Sequence, residues 1–177
     1  MAIQTGSATD HKDLLARLVT FATANGWVSE AYTTQVGDDT ADVAYLRGLG
    51  SADTENVHVN ISTFGDTFNN VFTWDVYGAT AYDGAQGLTL QPGVSPVSRF
   101  FMTNSSMTYW FYVSDRRIIV VIQAGTVFFA MYAGFFLPFA TPLEYPFPMY
   151  IGATSGTRAT TTHPNTCLLY TSDAADE

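Results

Sequence analysis

Residues 132–152 read YAGFFLPFATPLEYPFPMYIG, and this string constrains the fold more than any other part of the chain. Pro138, Pro142, Pro146 and Pro148 each fix φ near −65° and remove a backbone donor. That excludes a long helix or a central strand through them. Tyr132, Phe135, Phe136, Phe139, Tyr145, Phe147 and Tyr150 carry too much apolar area for a free linker. The expectation is a stiff, aromatic arm over 138–148, pinned onto its own domain or onto a neighbouring subunit. The string offers no nucleophile–base pair and no cluster of metal ligands, so it suggests a surface rather than a chemistry.

Upstream lies YWFYV, residues 109–113, then a polar break at 114–117 and the apolar run that begins at Ile118. In a strand, Trp110 and Tyr112 share one face, while Tyr109, Phe111 and Val113 share the other. At least one of these faces is expected in the core. The residues 118–137 are numerous and apolar enough for a single membrane span, and Arg116 and Arg117 could flank it. Gln123, Gly125 and Thr126 interrupt that run, and its halves 118–122 and 126–129 are β-branched and aromatic. Two buried strands joined through 123–125 explain this better than a span. The bend at 114–117 is read as a polar hairpin turn. Its alternative role is an arginine clamp on a neighbouring subunit's carboxylates.

Elsewhere the pattern is one helix followed by strands. Over 10–24, Leu14, Leu15, Leu18, Phe21 and Ala22 recur on one helical face. Thr9 or Asp10 serves as N-cap, Asp13 favours the first turn, and Asn25–Gly26 stops the helix. Strands are expected at 27–32 and 43–46. The clearest one places Val57, Val59 and Ile61 in alternation with His58, Asn60 and Ser62. Phe72, Trp74 and Val76 form its partner across a turn at 65–70, and further strands follow at 99–103, 109–113 and 118–122. Residues 83–96 read as a long surface loop suited to contacts. The fold class is α+β: one N-terminal helix packed on a mainly antiparallel sheet, with a Pro/aromatic-rich C-terminal arm. Residues 1–156 form a single domain, and 157–166 a linker or truncated continuation.

Charge and residue usage narrow the function. Charged residues make up 13% of the chain and aromatics 15%, which fits a β-rich protein with surface committed to partners. The formal charge is −9, and setting aside Asp173, Asp176 and Glu177 of the last segment leaves −6. An acidic chain with one lysine, Lys12, does not suit phosphate backbones, so nucleic acid is not an expected partner. Cys167 is the only cysteine, and His11, His58 and His163 are scattered, so no disulfide and no metal centre are expected. Asp38, Asp39 and Asp42 could supply oxygen ligands to Ca²⁺, but their spacing matches no known loop, and a solvated turn is the better reading. Pairs such as Asp66 with Asp75, or Glu30 with Glu55, could be imagined flanking a sugar. Nothing in the sequence sets their separation, no catalytic motif stands out, and no cofactor is expected.

The order W-x-x-x-S-x-R-R-I-I-V-V, then T-V-F-x-x-x-Y-x-G-F-x-L-P-x-A-T-P-x-E-Y-P-x-P-x-x-I-G, resembles a family of bacteriophage virion structural proteins, tail-associated where a role is assigned. The opening TGSATDHKDLLARLVTFATANGW is similar to the way those proteins begin, and the likeness covers about 1–156. The family's terminal glycine pair stands here as Gly152–Ala153. Residues 167–177 resemble translated sequencing-adapter read-through and are set aside as a non-native tail. The resemblance implies a virion component, acting by assembly with copies of itself and other virion proteins. Trp74, Tyr109, Trp110, Tyr132, Tyr145 and Phe147 are the candidate interface or glycan contacts. A receptor- or glycan-binding module of the tail is the alternative reading, and a single-pass membrane protein the third.

Overall fold

The computed structural model describes residues 1–50, 56–135, 148–154 and 167–171. The chain is mostly antiparallel strand, arranged as two sheets with one helix between them. This corrects the expected single sheet. The six-stranded sheet has the order β1-β7-β8-β9-β10-β11, formed by Ala2–Ala8, Met107–Ser114, Arg117–Ala124, Val127–Phe135, Pro148–Ala153 and Cys167–Thr171. The five-stranded sheet runs β2-β3-β4-β5-β6, formed by Trp27–Thr33, Val43–Gly48, Val57–Asp66, Val71–Ala79 and Ser98–Met102.

Helix α1, His11–Ala24, begins where Asp10 accepts from the amides of Lys12 (2.9 Å) and Asp13 (2.8 Å). Asp10, not Thr9, is therefore the cap. Asp13 reaches back to the Thr9 amide at 2.9 Å, so a second helix-terminal donor is satisfied. The stop is as expected: Asn25 Nδ2 donates to the Phe21 carbonyl and Gly26 takes φ +92. Leu14, Leu15, Leu18, Val19 and Ala22 are buried. The helix lies between the sheets at their β1/β7 and β2–β5 ends, and β9 and β10 cover β5 and β6 at the other. One continuous apolar core results, joining Leu18, Ile61, Trp74, Phe100, Phe111, Val120, Met131 and Ile151.

Several boundaries differ from the sequence reading. The strand Ala2–Ala8 was not anticipated. The hydrophobic run divides into β8 and β9 around a two-residue turn in which Gly125 takes φ +62. The single-pass reading does not fit this hairpin, and among the described residues no helix is long and apolar enough to cross a membrane. β9 continues past the expected 126–129 to Phe135, so Tyr132 and Phe135 belong to a strand. Pro148 opens β10 as its first residue, a position that tolerates proline, and Met149 and Ile151 enter the core. Residues 138–147 of the expected arm, including Tyr145 and Phe147, lie outside the described residues. Cys167–Thr171, expected to lie apart, pairs antiparallel with β10.

Candidate functional site: the outer face of the six-stranded sheet

Strands β7 and β8 lack polar alternation, and the structure shows what their two apolar faces do. Tyr109, Phe111, Val113, Ile118, Val120 and Ile122 point inward and are buried. The side chains between them form the outer face. The strand register sets them in rows: Ile3, Tyr112, Ile119 and Tyr132 in one, and Thr5, Trp110, Val121 and Ala130 in the next. Phe128 aligns with Gln123 beyond them, and Tyr150 lies opposite Gly134 at the far side.

This face is apolar, and among the described residues no element covers it. Ile3 is 64% exposed, Phe128 58% and Val127, at the hairpin end, 53%. Trp110, Tyr112, Ile119, Val121, Tyr132 and Tyr150 are half-buried. The rings are organised rather than scattered: Trp110 and Phe128 lie 5.9 Å apart over β8, and Tyr132 and Tyr150 5.5 Å apart. Arg117 is the one cation in these rows, its guanidinium 5.9 Å from the Tyr112 ring centre. The Tyr132 hydroxyl donates to the Phe135 carbonyl at 3.0 Å. Burial pushes the Tyr132 phenol above its ordinary pKa, against the opposing pull of Arg117. Rows of rings around one guanidinium can stack on a flat apolar or sugar-like surface. They contain no carboxylate or histidine for proton transfer.

The expected contact residues separate sharply. Trp110 and Tyr132 lie on this face. Trp74 and Tyr109 do not, a correction with a plain cause: each points into the core. Trp74 is fully buried, packs edge-on to Phe100, and donates its indole N–H to the His11 carbonyl at 2.9 Å. Tyr109 stacks on Phe111 at 4.2 Å. Its hydroxyl lies 2.7 Å from where a Cβ on Gly6 would stand, so glycine is what lets β1 pass there. The face also includes Ile3, Tyr112, Ile119, Val121, Phe128 and Tyr150, which were not among the expected contacts. The signal for three of them, Tyr112, Ile119 and Val121, was legible as the missing alternation in 109–113 and 118–122.

The other sequence candidates are occupied differently. Asp38, Asp39 and Asp42 do not converge on a cation. Asp38 accepts from Asn104, Asp39 from the amide and hydroxyl of Thr67, and buried Asp42 from the Gln35 amide. Among the described residues no three His, Cys, Asp or Glu side chains form a metal-holding group. The expected contact loop, 83–96, is tied down by buried Gln91. That side chain accepts from the Asp83 amide and donates to the carbonyls of Asp83 and Gln86. No family model matches the chain, and no curated protein matches it.

Proposed function

We propose that the chain is a structural component of a phage virion, of the tail or its tip, that works by subunit assembly rather than catalysis. The observation that carries this reading is the outer face of the six-stranded sheet. A sheet whose strands are apolar on both sides is normally covered on both, and here no described element covers the outer side. Contiguous exposed apolar surface on an otherwise acidic molecule is what a subunit interface leaves when its partner is absent. The ordered resemblance over 1–156 supports a virion as the setting.

The test is the paired substitution Trp110→Ser with Phe128→Ser. Phe128 is exposed and Trp110 is half-buried on the outer face rather than in the core, so the circular dichroism is expected to stay unchanged while incorporation into particles falls. Normal incorporation of a folded double variant would reject the reading. A second reading, glycan binding at the tail, draws on the same ring pairs beside Arg117, because aromatic faces stack on sugars. Retained incorporation with lost adsorption to host-surface glycans would favour it.

A further inference from the structure

We propose that the free edge of β1 is a self-association site, at which two copies of the chain join their six-stranded sheets through antiparallel β1–β1 pairing. Among the described residues β1 has one strand neighbour, β7, and pairs with it without a register shift from Ala2 to Ala8. Its other side presents a strand's worth of backbone donors and acceptors. Proteins ordinarily blunt such edges with charge, proline, a bulge or a cover. The other sheet does so: β2 carries Glu30 and a register shift beside it, and β6 carries Arg99 and is bonded from the Phe101 amide to the Thr154 carbonyl. β1, reading AIQTGSA, has no charge, proline or bulge, and no strand covers its edge among the described residues.

A second copy fits this edge for three reasons. The strand is uncharged in a chain of net charge −9, so it is a place where two acidic molecules can meet without opposing carboxylates. The sequence is compatible with itself. A two-fold axis at Thr5 opposes Thr5 to Thr5, Ile3 to Ser7, Gln4 to Gly6 and Ala2 to Ala8, leaving the longer side chain facing the smaller in each unlike pair. The space beside the edge is also open. A groove of roughly 450 Å³, lined by Gln4, Ala16, Arg17, Thr20, Phe21 and Ala24, runs between β1 and helix α1. An added strand would seat its inward side chains there, and the small residues Ala16, Thr20 and Ala24 leave room for the partner's helix. Pairing of this kind adds backbone hydrogen bonds and continues the outer aromatic face across both copies.

The proposal does not depend on the virion reading. Its test is sedimentation of the full chain over a concentration series, with Thr5→Glu, Thr5→Lys and their equimolar mixture. Thr5 is exposed, so neither charge disturbs the core. The wild type is expected to be a dimer that dissociates on dilution. Each single variant should raise the dissociation constant at least roughly tenfold through like-charge opposition, and the mixture should restore it. Phe128→Ser, one half of the paired outer-face variant, should leave this dimer intact, so loss of particle incorporation and loss of the dimer are separate results. A wild type that is monomeric at every concentration would overturn the proposal. So would Thr5→Lys and Thr5→Glu variants that dimerise like the wild type, or a dimer abolished by Phe128→Ser alone.

Discussion

Lys12, the chain's one lysine, is spent on structure. Its ammonium lies 3.3 Å from Asp42 and donates to the carbonyls of Gln35 (3.0 Å) and Gly37 (2.7 Å) and to the Thr40 hydroxyl (2.8 Å). The two side chains are only 14% and 5% exposed, so this is not a screened surface pair. Lys12→Ala would leave the Asp42 carboxylate buried without its cation, at a cost of about 3 kcal/mol. A thermal melt is expected to show this as a large drop in Tm. His11 gives a second residue-scale outcome. It is fully buried against Phe72, and among the described residues neither ring nitrogen has a hydrogen-bond partner. Burial lowers its pKa, opposed by Asp10, Asp38 and Asp42 and assisted by Lys12. Burial also lowers His58, with Arg47 acting in the same direction. The unfolded chain takes up these protons near pH 6.5 and the folded chain resists them. Stability is therefore complete above that pH and is lost as pH falls below it. Tm is expected to be flat from about pH 8 to 7 and to decline toward pH 5. The pair His11→Leu with His58→Leu should flatten that decline. A decline unchanged in the double variant would assign it to carboxylates.

At the scale of elements, the sequence was most legible where local chemistry decides. The helix with its acidic cap and Asn25–Gly26 stop, and the hairpin β4–β5, rest on side chains within a few residues of one another. Alternation in 57–62 identified which side of β4 is polar, but not that His58, Asn60 and Ser62 would themselves be buried. Alternation orders the two faces of a strand and does not say what lies over them. β1 escaped notice because its small residues carry little strand preference, and its partner is about a hundred residues away. The end of β9 was hidden by Gly134, which looks like a breaker. In the structure it takes φ +144 opposite Arg117, and a Cβ there would collide with the Arg116 carbonyl oxygen. Gly134→Ala is expected to cost about 2–3 kcal/mol through backbone strain and that collision. Gly125→Ala provides the contrast. At φ +62 with nothing within 4 Å, it should cost only about 1 kcal/mol. Equal losses in denaturant titrations would show that Gly134 is not held by its surroundings.

Across the whole molecule, the outer apolar face and the core are two sides of the same sheet, so the face is only as firm as the joint between the sheets. That joint is visible at Trp27. Its ring is buried at the start of β2, and its indole N–H donates across to the Ser114 carbonyl at 2.6 Å. Beside it the Gly50 amide donates to the Asp115 carbonyl at 3.1 Å, and a Cβ on Gly48 would stand 2.8 Å from that same oxygen. The β7–β8 turn is thus clasped by the edge of the other sheet, and α1 fills the space behind it. Such a joint should make the sheets unfold as one cooperative unit. In Trp110→Phe the remaining fluorescence comes from Trp27 and Trp74, both buried in the five-stranded sheet, whereas far-ultraviolet circular dichroism reports all strands. The two signals are expected to give coincident denaturant transitions. Trp27→Phe should move both to lower denaturant together, by about 1–3 kcal/mol, since it leaves the Ser114 carbonyl without its donor. If the fluorescence and dichroism midpoints separate instead, the sheets melt independently. The outer face would then ride on a layer that can detach from its support, and assembly would have to stabilise the fold as well as use it.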